Sequence, residues 1–407
     1  VKKNQNDEIL LNVLAIASRR VGNYEQAEDW AQRAVEIKKT FWAAHSTLAS
    51  IFLARGEVER SISKYKWLLD KQPSYTDARG NLAYTLKGIG DYDNSLIEYK
   101  KALEIKKSDA WEWQLGLTLL HLGSFKDGWD KYEYRWNVEP LKRVVWPIKD
   151  NDLWEGQENK RIVLWREQGI GDDLLFLGLV PEAFERCKTL SVYLDPRLIP
   201  LCKRSMPGIN FKEYKEKIEE EEVDYHLPMG SLPRLFRNSE KDFDRTRKGY
   251  LKADKSRVEL LREELGLKDK KVIGISWKST KSLNKAKKSI ELMELAPVFK
   301  DLDVVLLNLQ YGDVDEEIKE FKKVTGIEVL QCASVDNRLD LKGLAALIEV
   351  CDLVVSTSNV TIHLAGALAK ETWVLLPYVA GFWWFTDRSD SLWYPTLRLY
   401  RQRKLDD

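Results

Sequence analysis

Residues 352–377 read DLVVSTSNVTIHLAGALAKETWVLLP, which gathers hydroxyls, an amide and an imidazole into one short stretch. The apolar run Leu353–Ser356 predicts a strand, Thr357-Ser358-Asn359 a polar turn, and the residues from about Val360 a helix. A second strand is expected at Thr372–Leu376. Short apolar runs joined through a helix make a βαβ unit of a parallel sheet. The first N–H groups of such a helix, at the positive end of its dipole, favour an anion. Ser358, Asn359, Thr361 and His363, the last one turn in, would line a phosphate seat. The same residue types are also ordinary N-caps, and a histidine on an otherwise apolar helix serves equally as hydrogen-bonded structure.

Three further stretches carry candidate chemistry. Gln168-Gly169-Ile170-Gly171-Asp172 pairs two glycines with a carboxylate at an expected helix start. The glycines permit a tight turn and close approach of a ligand, and Asp172 would act as general base or cap the helix. The pattern falls short of G-x-G-x-x-G, so no dinucleotide fingerprint is read. Ser276-Trp277-Lys278-Ser279-Thr280-Lys281, continuing through Lys285, Lys287, Lys288 and Ser289, concentrates cations and hydroxyls after a strand. It reads as an exposed basic loop or as a partner for a diphosphate, and no G-K-[ST] P-loop is present. Finally, Gly381–Pro395 is dense in aromatics, with Trp383, Arg388 and Asp390 among them. Aromatic faces stack on sugars or bases while Arg and Asp fix hydroxyls or phosphates; the alternative is a hydrophobic clamp between domains.

The elements that must position these residues alternate strand and helix. Strands are expected at Arg161–Trp165, Leu190–Leu194, Ile209–Phe211 and Asp224–Leu227, with Lys212–Glu222 and Asn238–Arg257 as solvated stretches. After Leu267–Lys271, strands Val272–Trp277, Val304–Leu309 and Glu328–Leu330 alternate with helices Leu292–Phe299, Asp315–Lys323 and Leu341–Cys351. Two successive blocks of this kind imply two doubly wound domains, whose ligands bind beyond the carboxyl ends of the strands. The three unusual loops, 168–172, 278–289 and 357–359, all leave carboxyl ends and are expected to line one cleft.

The first third is different. Gly22, Gly56 and Gly90 recur every 34 residues, followed by Tyr24, Val58 and Tyr92. Ala27, Ser61 and Ser95 keep the same phase, as do Ala31, Tyr65 and Tyr99; Ala17, Ala49 and Ala83 mark the first helix of each unit to within two residues. This is the tetratricopeptide period. A fourth unit one residue short runs through Trp111, Gly116, Gly123, Phe125, Gly128 and Tyr132, and its aromatic second helix, Trp129–Trp136, is expected to cap the stack. Such arrays bind extended peptides or proteins, or act as spacers. The expected organisation is therefore a repeat array at 1–139, a connector at 140–160, α/β domains at 161–266 and 267–385, and a C-terminal segment at 386–407 packing back across the domains.

Composition excludes several classes. A formal net charge of +1 with 32% charged residues leaves no broad attraction for nucleic acid or anionic membrane. The four cysteines are scattered without C-x-x-C spacing, against a zinc site or a disulfide framework and in keeping with a reducing cytoplasm. No apolar run reaches membrane-span length; the longest, 372–385, is broken by Pro377 and Gly381. The N-terminus shows no signal-peptide core, and the chain begins at Val1, so residues upstream of it are expected.

Taken in order, the motifs resemble bacterial tetratricopeptide proteins that carry a heptosyltransferase-like glycosyltransferase domain. The likeness runs through W-x-x-Y-E-Y-R-W (Trp129–Trp136), E-Q-G-I-G-D, I-S-W-K-S, S-N-V-T-I-H-L-A-G-A-L-A-K-x-T-W-V-L-L-P and D-R-S-D-S-L-W-Y-P-T-L-R-L-Y-R-Q. It implies a GT-B pair of Rossmann-like domains, and a metal-independent inverting transfer of a sugar from a nucleotide-sugar to an acceptor hydroxyl. By position, Asp172 matches the proposed base, and Lys278, Lys288 and Ser289 lie in the donor-phosphate loop. Ser358, Asn359, Thr361 and His363 match the diphosphate turn and helix, with Gln168, Gly169, Gly171, Trp383, Arg388 and Asp390 as further substrate contacts. Protein O-GlcNAc and flagellin glycosyltransferases share the plan, which implies a protein acceptor or partner on the repeats. A scaffold with a degenerate GT-B pair and an envelope-glycan transferase are the alternatives. Ser358 stands where many relatives carry Asp, and Phe382-Trp383-Trp384 where many carry W-R-W; both departures bear on donor choice and activity.

Overall fold

The computed structural model describes residues 7–144, 146, 153–219, 223–246, 249–279 and 289–404. The chain divides into two compact units, Val1–Arg143 and Val144–Asp407.

The first unit is a series of antiparallel helix pairs. These are α1 (Glu8–Arg20) with α2 (Tyr24–Ile37), α3 (Trp42–Ala54) with α4 (Val58–Lys71), α5 (Thr76–Gly88) with α6 (Tyr92–Ile105), and α7 (Asp109–His121) with α8 (Phe125–Tyr132). Each helix ends where the sequence punctuates it. Asp7 caps α1 by accepting from Ile9 N and Leu10 N, and Gly22, Gly56 and Gly90 turn the chain at φ of +82°, +84° and +83°. Close pairing needs small side chains: Ala27, Ser61 and Ser95 are wholly buried, and a Cβ on Gly116 would lie 2.9 Å from the Lys131 backbone. On the first helices the small buried residues are Ala15, Ala49 and Ala83. Ala17 is exposed, so the in-phase position of the first repeat is Ala15. After α8, Arg135 lies fully buried between the Tyr132 and Trp136 rings and bonds Glu133 Oε1 at 2.7 Å.

The second unit holds two parallel sheets. The first contains β1 (Arg161–Trp165), β2 (Thr189–Leu194), β3 (Asn210–Glu213) and β4 (Tyr225–Pro228) in the order β3-β2-β1-β4. Helices α9 (Ile170–Leu177), α10 (Val180–Arg186), α11 (Ile199–Ser205) and α12 (Leu232–Phe236) connect or follow them, and α13 (Lys255–Glu264) leads to the second sheet. That sheet contains β5 (Val272–Ser276), β6 (Val305–Asn308), β7 (Val329–Leu330), β8 (Leu353–Thr357), β9 (Thr372–Leu376) and β10 (Leu397–Arg401), ordered β10-β9-β8-β5-β6-β7. Its helices are α14 (Ala296–Phe299), α15 (Asp315–Thr325), α16 (Leu341–Val350) and α17 (Val360–Ala367). The central strands are apolar on both faces, as sheets covered by helices require: Ile275, Leu306 and Val355 join Trp277, Leu295, Phe299 and Phe321 in one buried cluster. A helical repeat array followed by paired parallel sheets of the GT-B kind is the architecture expected.

Three details differ from the expectation. Leu153 bridges His226 in parallel and Trp154 N donates to His226 O at 2.9 Å, so the connector ends as a short edge of the first sheet. The stretch 238–257 is not wholly solvated, because a 3₁₀ segment at Glu240–Thr246 buries Phe243. The C-terminal segment supplies β10, a strand that runs beside β9 from Leu397↔Thr372 to Arg401↔Leu376. Among the described residues no helix is long and apolar enough to cross a membrane.

Candidate functional site

Each sheet has one point where strand order reverses. In the first it lies between β1 and β4; in the second, between β5 and β8. Loops leaving the carboxyl ends at such a point diverge and open a crevice. The 166–169 turn follows β1, the 277–279 loop follows β5, and the 357–359 turn follows β8. Three stretches singled out by residue type therefore sit at the two reversal points.

The turn after β8 is tied inward. Asn359 Oδ1 accepts from Thr361 N at 2.9 Å, capping α17, while its Nδ2 donates to Ser276 Oγ at 2.8 Å and Lys278 O at 3.3 Å. Ser276 Oγ in turn donates to Gln310 Oε1 at 3.0 Å, and that oxygen also receives Trp277 N and Lys278 N at 2.9 and 2.8 Å. Thr361, wholly buried, reaches Ser276 Oγ at 3.4 Å. Ser358 Oγ accepts the indole N–H of Trp384 at 3.0 Å. These side chains fix the crossing of β5 and β8 and leave the helix start itself as the anion-favouring element.

Lys278 Nζ is held by Glu317 at 2.9 Å and Glu291 at 3.4 Å. Burial lowers the affinity of its amine for a proton, but the hydrogen bonds and charges of the two carboxylates outweigh this and hold it above its usual value. Ser289 Oγ accepts Ser279 N at 3.1 Å, closing the base of the loop. Lys281, Lys285, Lys287 and Lys288 lie outside the described residues.

Across from α17, Gly169 is the N-cap of α9, and Asp172 Oδ2 accepts its backbone N–H at 3.1 Å. Asp172 is thus a capping carboxylate, half-buried at the start of a helix. Gln168 contributes its carbonyl to Arg166 Nη2 at 2.8 Å, and its amide meets Glu167 Oε1 at 3.4 Å. Glu167 lies over Gly230, where a Cβ would fall 1.7 Å from its carboxylate; β1 and β4 thus close their crevice around a glycine. The adjacent Asp173 is buried beside Arg166, Nε to Oδ2 2.8 Å, with Asp195 3.5 Å from the same guanidinium. Burial pushes the Asp173 carboxyl upward, Arg166 opposes it, and Asp172 and Asp195 add to the rise.

His363 joins the two sides. An added Cβ on Gly171 would stand 3.3 Å from its Cδ2 and 3.7 Å from its Nε2. The ring stacks on Trp384 at 5.7 Å and 22°, Trp383 meets it edge-on at 6.2 Å, and Tyr394 Oη lies 3.1 Å from Nδ1. Arg401 bonds the carbonyls of Trp384 and Phe385, pinning the aromatic segment where Phe385 takes a φ of +50°. Arg388 and Asp390 pair with each other at 2.8 Å, and Arg388 also reaches Glu240 at 2.8 Å, so they tie the segment to the 240–246 turn.

The structure thus brings Gly169, Gly171, Asp172, Ser358, Asn359, Thr361, His363 and Trp383 together with Lys278 at the edge, and places Arg388 and Asp390 in a separate ion-pair cluster. Residue types alone did not single out Gln310, Asp173 or Tyr394. Tyr394 lay within an aromatic stretch already marked, but a lone Gln after β6 carries no signal. Two open cavities lie elsewhere, one lined by Arg161, Thr189 and Asn210 and the other by Phe299, Leu302 and Ile327. Both sit at the far ends of their sheets, away from the reversal points. No cluster of metal-ligating side chains occurs among the described residues.

Protein FlbA of Caulobacter vibrioides is 28% identical over 415 residues, which cover 96% of this chain and 69% of that protein. Among solved structures, a glycosyl transferase family 9 protein of Veillonella parvula matches 61% of this chain and 88% of its own at 11% identity and a TM-score of 0.45. The ADP-heptose LPS heptosyltransferase II of E. coli matches 61% of this chain and 94% of its own at 13% identity and a TM-score of 0.43. Residues 10–41 and 76–109 match models of the tetratricopeptide repeat, and these segments are members of that family.

Proposed function

We propose that the second unit is a glycosyltransferase that moves a sugar from a nucleotide-sugar to an acceptor hydroxyl, with inversion and without a metal. The observation that supports it is the contact of the Gly169–Asp172 turn with His363 on α17, which sets the reversal points of two parallel sheets face to face. The donor diphosphate would lie at the start of α17, its charge met by the helix dipole and by Lys278 on exchange from Glu291 and Glu317. Asp172 would supply the negative charge that draws the hydroxyl proton away as the sugar is attacked. The tetratricopeptide array would hold the acceptor, a protein, as helical repeat surfaces hold extended partners.

Asp172→Asn tests this cleanly. Asparagine still offers an oxygen to Gly169 N–H, so the cap on α9 persists while the charge is lost. Transfer is expected to fall by about 100-fold or more with donor affinity unchanged. Full transfer by the variant removes Asp172 from the reaction.

One observation favours a second reading. The hydroxyl of Ser358, the amide of Asn359 and the amine of Lys278 are already engaged within the protein. A non-catalytic scaffold whose α/β unit only supports the repeats needs no more than that. Calorimetry against uridine, guanosine, adenosine and cytidine diphosphates separates the two, since a scaffold binds none of them.

A further inference from the structure

The 34-residue period lets each helix of the array be compared with its counterpart one unit on. In α3 the register holds Ala44, Leu48 and Ile51, and in α5 it holds Ala78, Leu82 and Thr85, all at 3% exposure or less. The second helix of the preceding pair covers them. Ala44 clusters with Ala34 of α2, Leu48 and Ile51 with Ala27 and Ala31 of α2, and Ala78 and Leu82 with Ile62, Tyr65 and Leu68 of α4. One repeat stacks on the next through this interface.

In α1 the same register falls on Leu10, Leu14 and Ala17. They are as apolar as their counterparts but are left open: Leu10 and Leu14 are half-buried and Ala17 is exposed. The helix also exposes Ile9 and Val13 at 62% and 54%. A solenoid is kept soluble by terminal units with a polar outer face. At the other end of the array the 3₁₀ segment Glu133–Asn137 follows α8 and packs on α7 and α8. Among the described residues α1 has neither a polar outer face nor such a cover.

We infer that the outer face of α1 is a stacking surface for the second helix of a tetratricopeptide unit carried by a partner protein. The occupant follows from continuity with the interface inside the array. A face that repeats those resting on α2 and α4 fits a helix like them, with small residues spaced i, i+4, i+7 as at Ala27, Ala31 and Ala34. A second copy of this chain offers no such helix, because α2, α4 and α6 already hold α3, α5 and α7, and α8 is met by the 3₁₀ segment. The stacking surface owes nothing to the transferase reading.

The test uses the full chain and, as probe, an idealised tetratricopeptide array that ends on an uncovered second helix with alanine at the positions of Ala27, Ala31 and Ala34; consensus repeats of this kind are readily designed. Binding is measured by calorimetry, and amide exchange is followed over Glu8–Arg20. Wild type is expected to form a one-to-one complex in which exchange across α1 slows. Ala17→Lys alters an exposed residue, so the fold of the array is not at stake. It should weaken binding at least about tenfold, because it sets an unpaired charge where the counterparts Ile51 and Thr85 are buried. Leu14→Lys should do the same. Ile9→Lys should leave affinity within about twofold, since its counterpart in α5 is Asp77, which is exposed. A sticky patch without register would give the reverse order, Ile9 being the larger exposed side chain. Failure of wild type to bind the probe, a greater loss in Ile9→Lys than in Ala17→Lys, or a dimer of the chain alone that Ala17→Lys dissolves overturns the stacking surface.

Discussion

The two units hold themselves together by different means. In the repeat array, contacts run between neighbouring helices, the interior is built largely of small residues such as Ala31, Ala34 and Ala49 with uncharged Ser61 and Ser95 among them, and ion pairs such as Arg60 with Glu57 and Glu28 lie at the surface. In the α/β unit, pairing partners are remote in sequence and charge goes inside: Arg237 is fully buried on Glu182, and Asp173 is buried on Arg166. A repeat stack can spread a defect over graded local terms, since each repeat meets only its neighbours. A sheet whose strands meet across the chain loses more at once. The end of the array is intermediate, because Arg135 there is buried like the charges of the second unit.

The largest test of that contrast is Glu182→Ala. Arg237 donates to the Glu182 carboxylate at 3.0 and 2.5 Å and has no exposed surface, so the variant leaves a guanidinium buried without its counter-ion. Breaking such a pair costs about 3–5 kcal/mol, read as a lower denaturant midpoint for the second unit. Glu57→Ala, which removes an exposed partner of Arg60, should change stability by less than about 1 kcal/mol. Equal effects would end the distinction between the units.

Glycines sharpen it at the next level. Gly366 has ordinary helical torsions but lies under Tyr394, so Gly366→Ala must displace the ring that holds His363. Overpacking of this kind costs about 1–3 kcal/mol, and a change in Trp384 fluorescence should accompany it. Gly56 has nothing within 4 Å of its added Cβ but a φ of +84°. Gly56→Ala therefore pays only the left-handed backbone penalty, about 1 kcal/mol. Gly80 checks the rule inside the array: its torsions are ordinary, the Trp111 indole would lie 2.3 Å from a Cβ, and its substitution should behave like that of Gly366.

The same contrast governs what could be read in advance. Turn glycines and buried small residues recur every 34 residues, so the array was legible, and the strict period selects Ala15 over Ala17 just as burial does. Buried strands were legible as apolar runs. β10 was missed even though Leu397–Arg401 alternates buried and exposed residues as an edge strand does, because its partner β9 is reached only after the long 377–396 connection. At the site, residue types marked the right turns, but not the direction of their side chains. The inward bond from Asn359 to Ser276 spans 83 residues, and that from Ser276 to Gln310 spans 34, which no local pattern encodes. The Tyr394–His363 contact is hidden for the same reason, being a property of how the last segment folds over α17.

The smallest expected effect lies at the edge of the first sheet, where the remote pairing of the α/β unit meets solvent. Asp224 accepts from Arg161 N at 2.7 Å and from Nη2 at 2.8 Å, joining β1 to the residue before β4. The Arg161 side chain, then its backbone N–H, hold the carboxyl down at about 2. Because the folded value is depressed, the ionised form is the one that stabilises. Its contribution is complete above the ordinary carboxylate value near 4 and is lost as pH falls through about 2. The pair is partly exposed, with side-chain accessibilities of 38% and 31%, so added salt should shrink the effect. Unfolding midpoints measured from pH 5 down to pH 2, an interval chosen to bracket about 4, should fall less steeply in Asp224→Asn than in wild type. Identical slopes would mean that this remote pair, like the surface pairs of the array, adds nothing to cohesion.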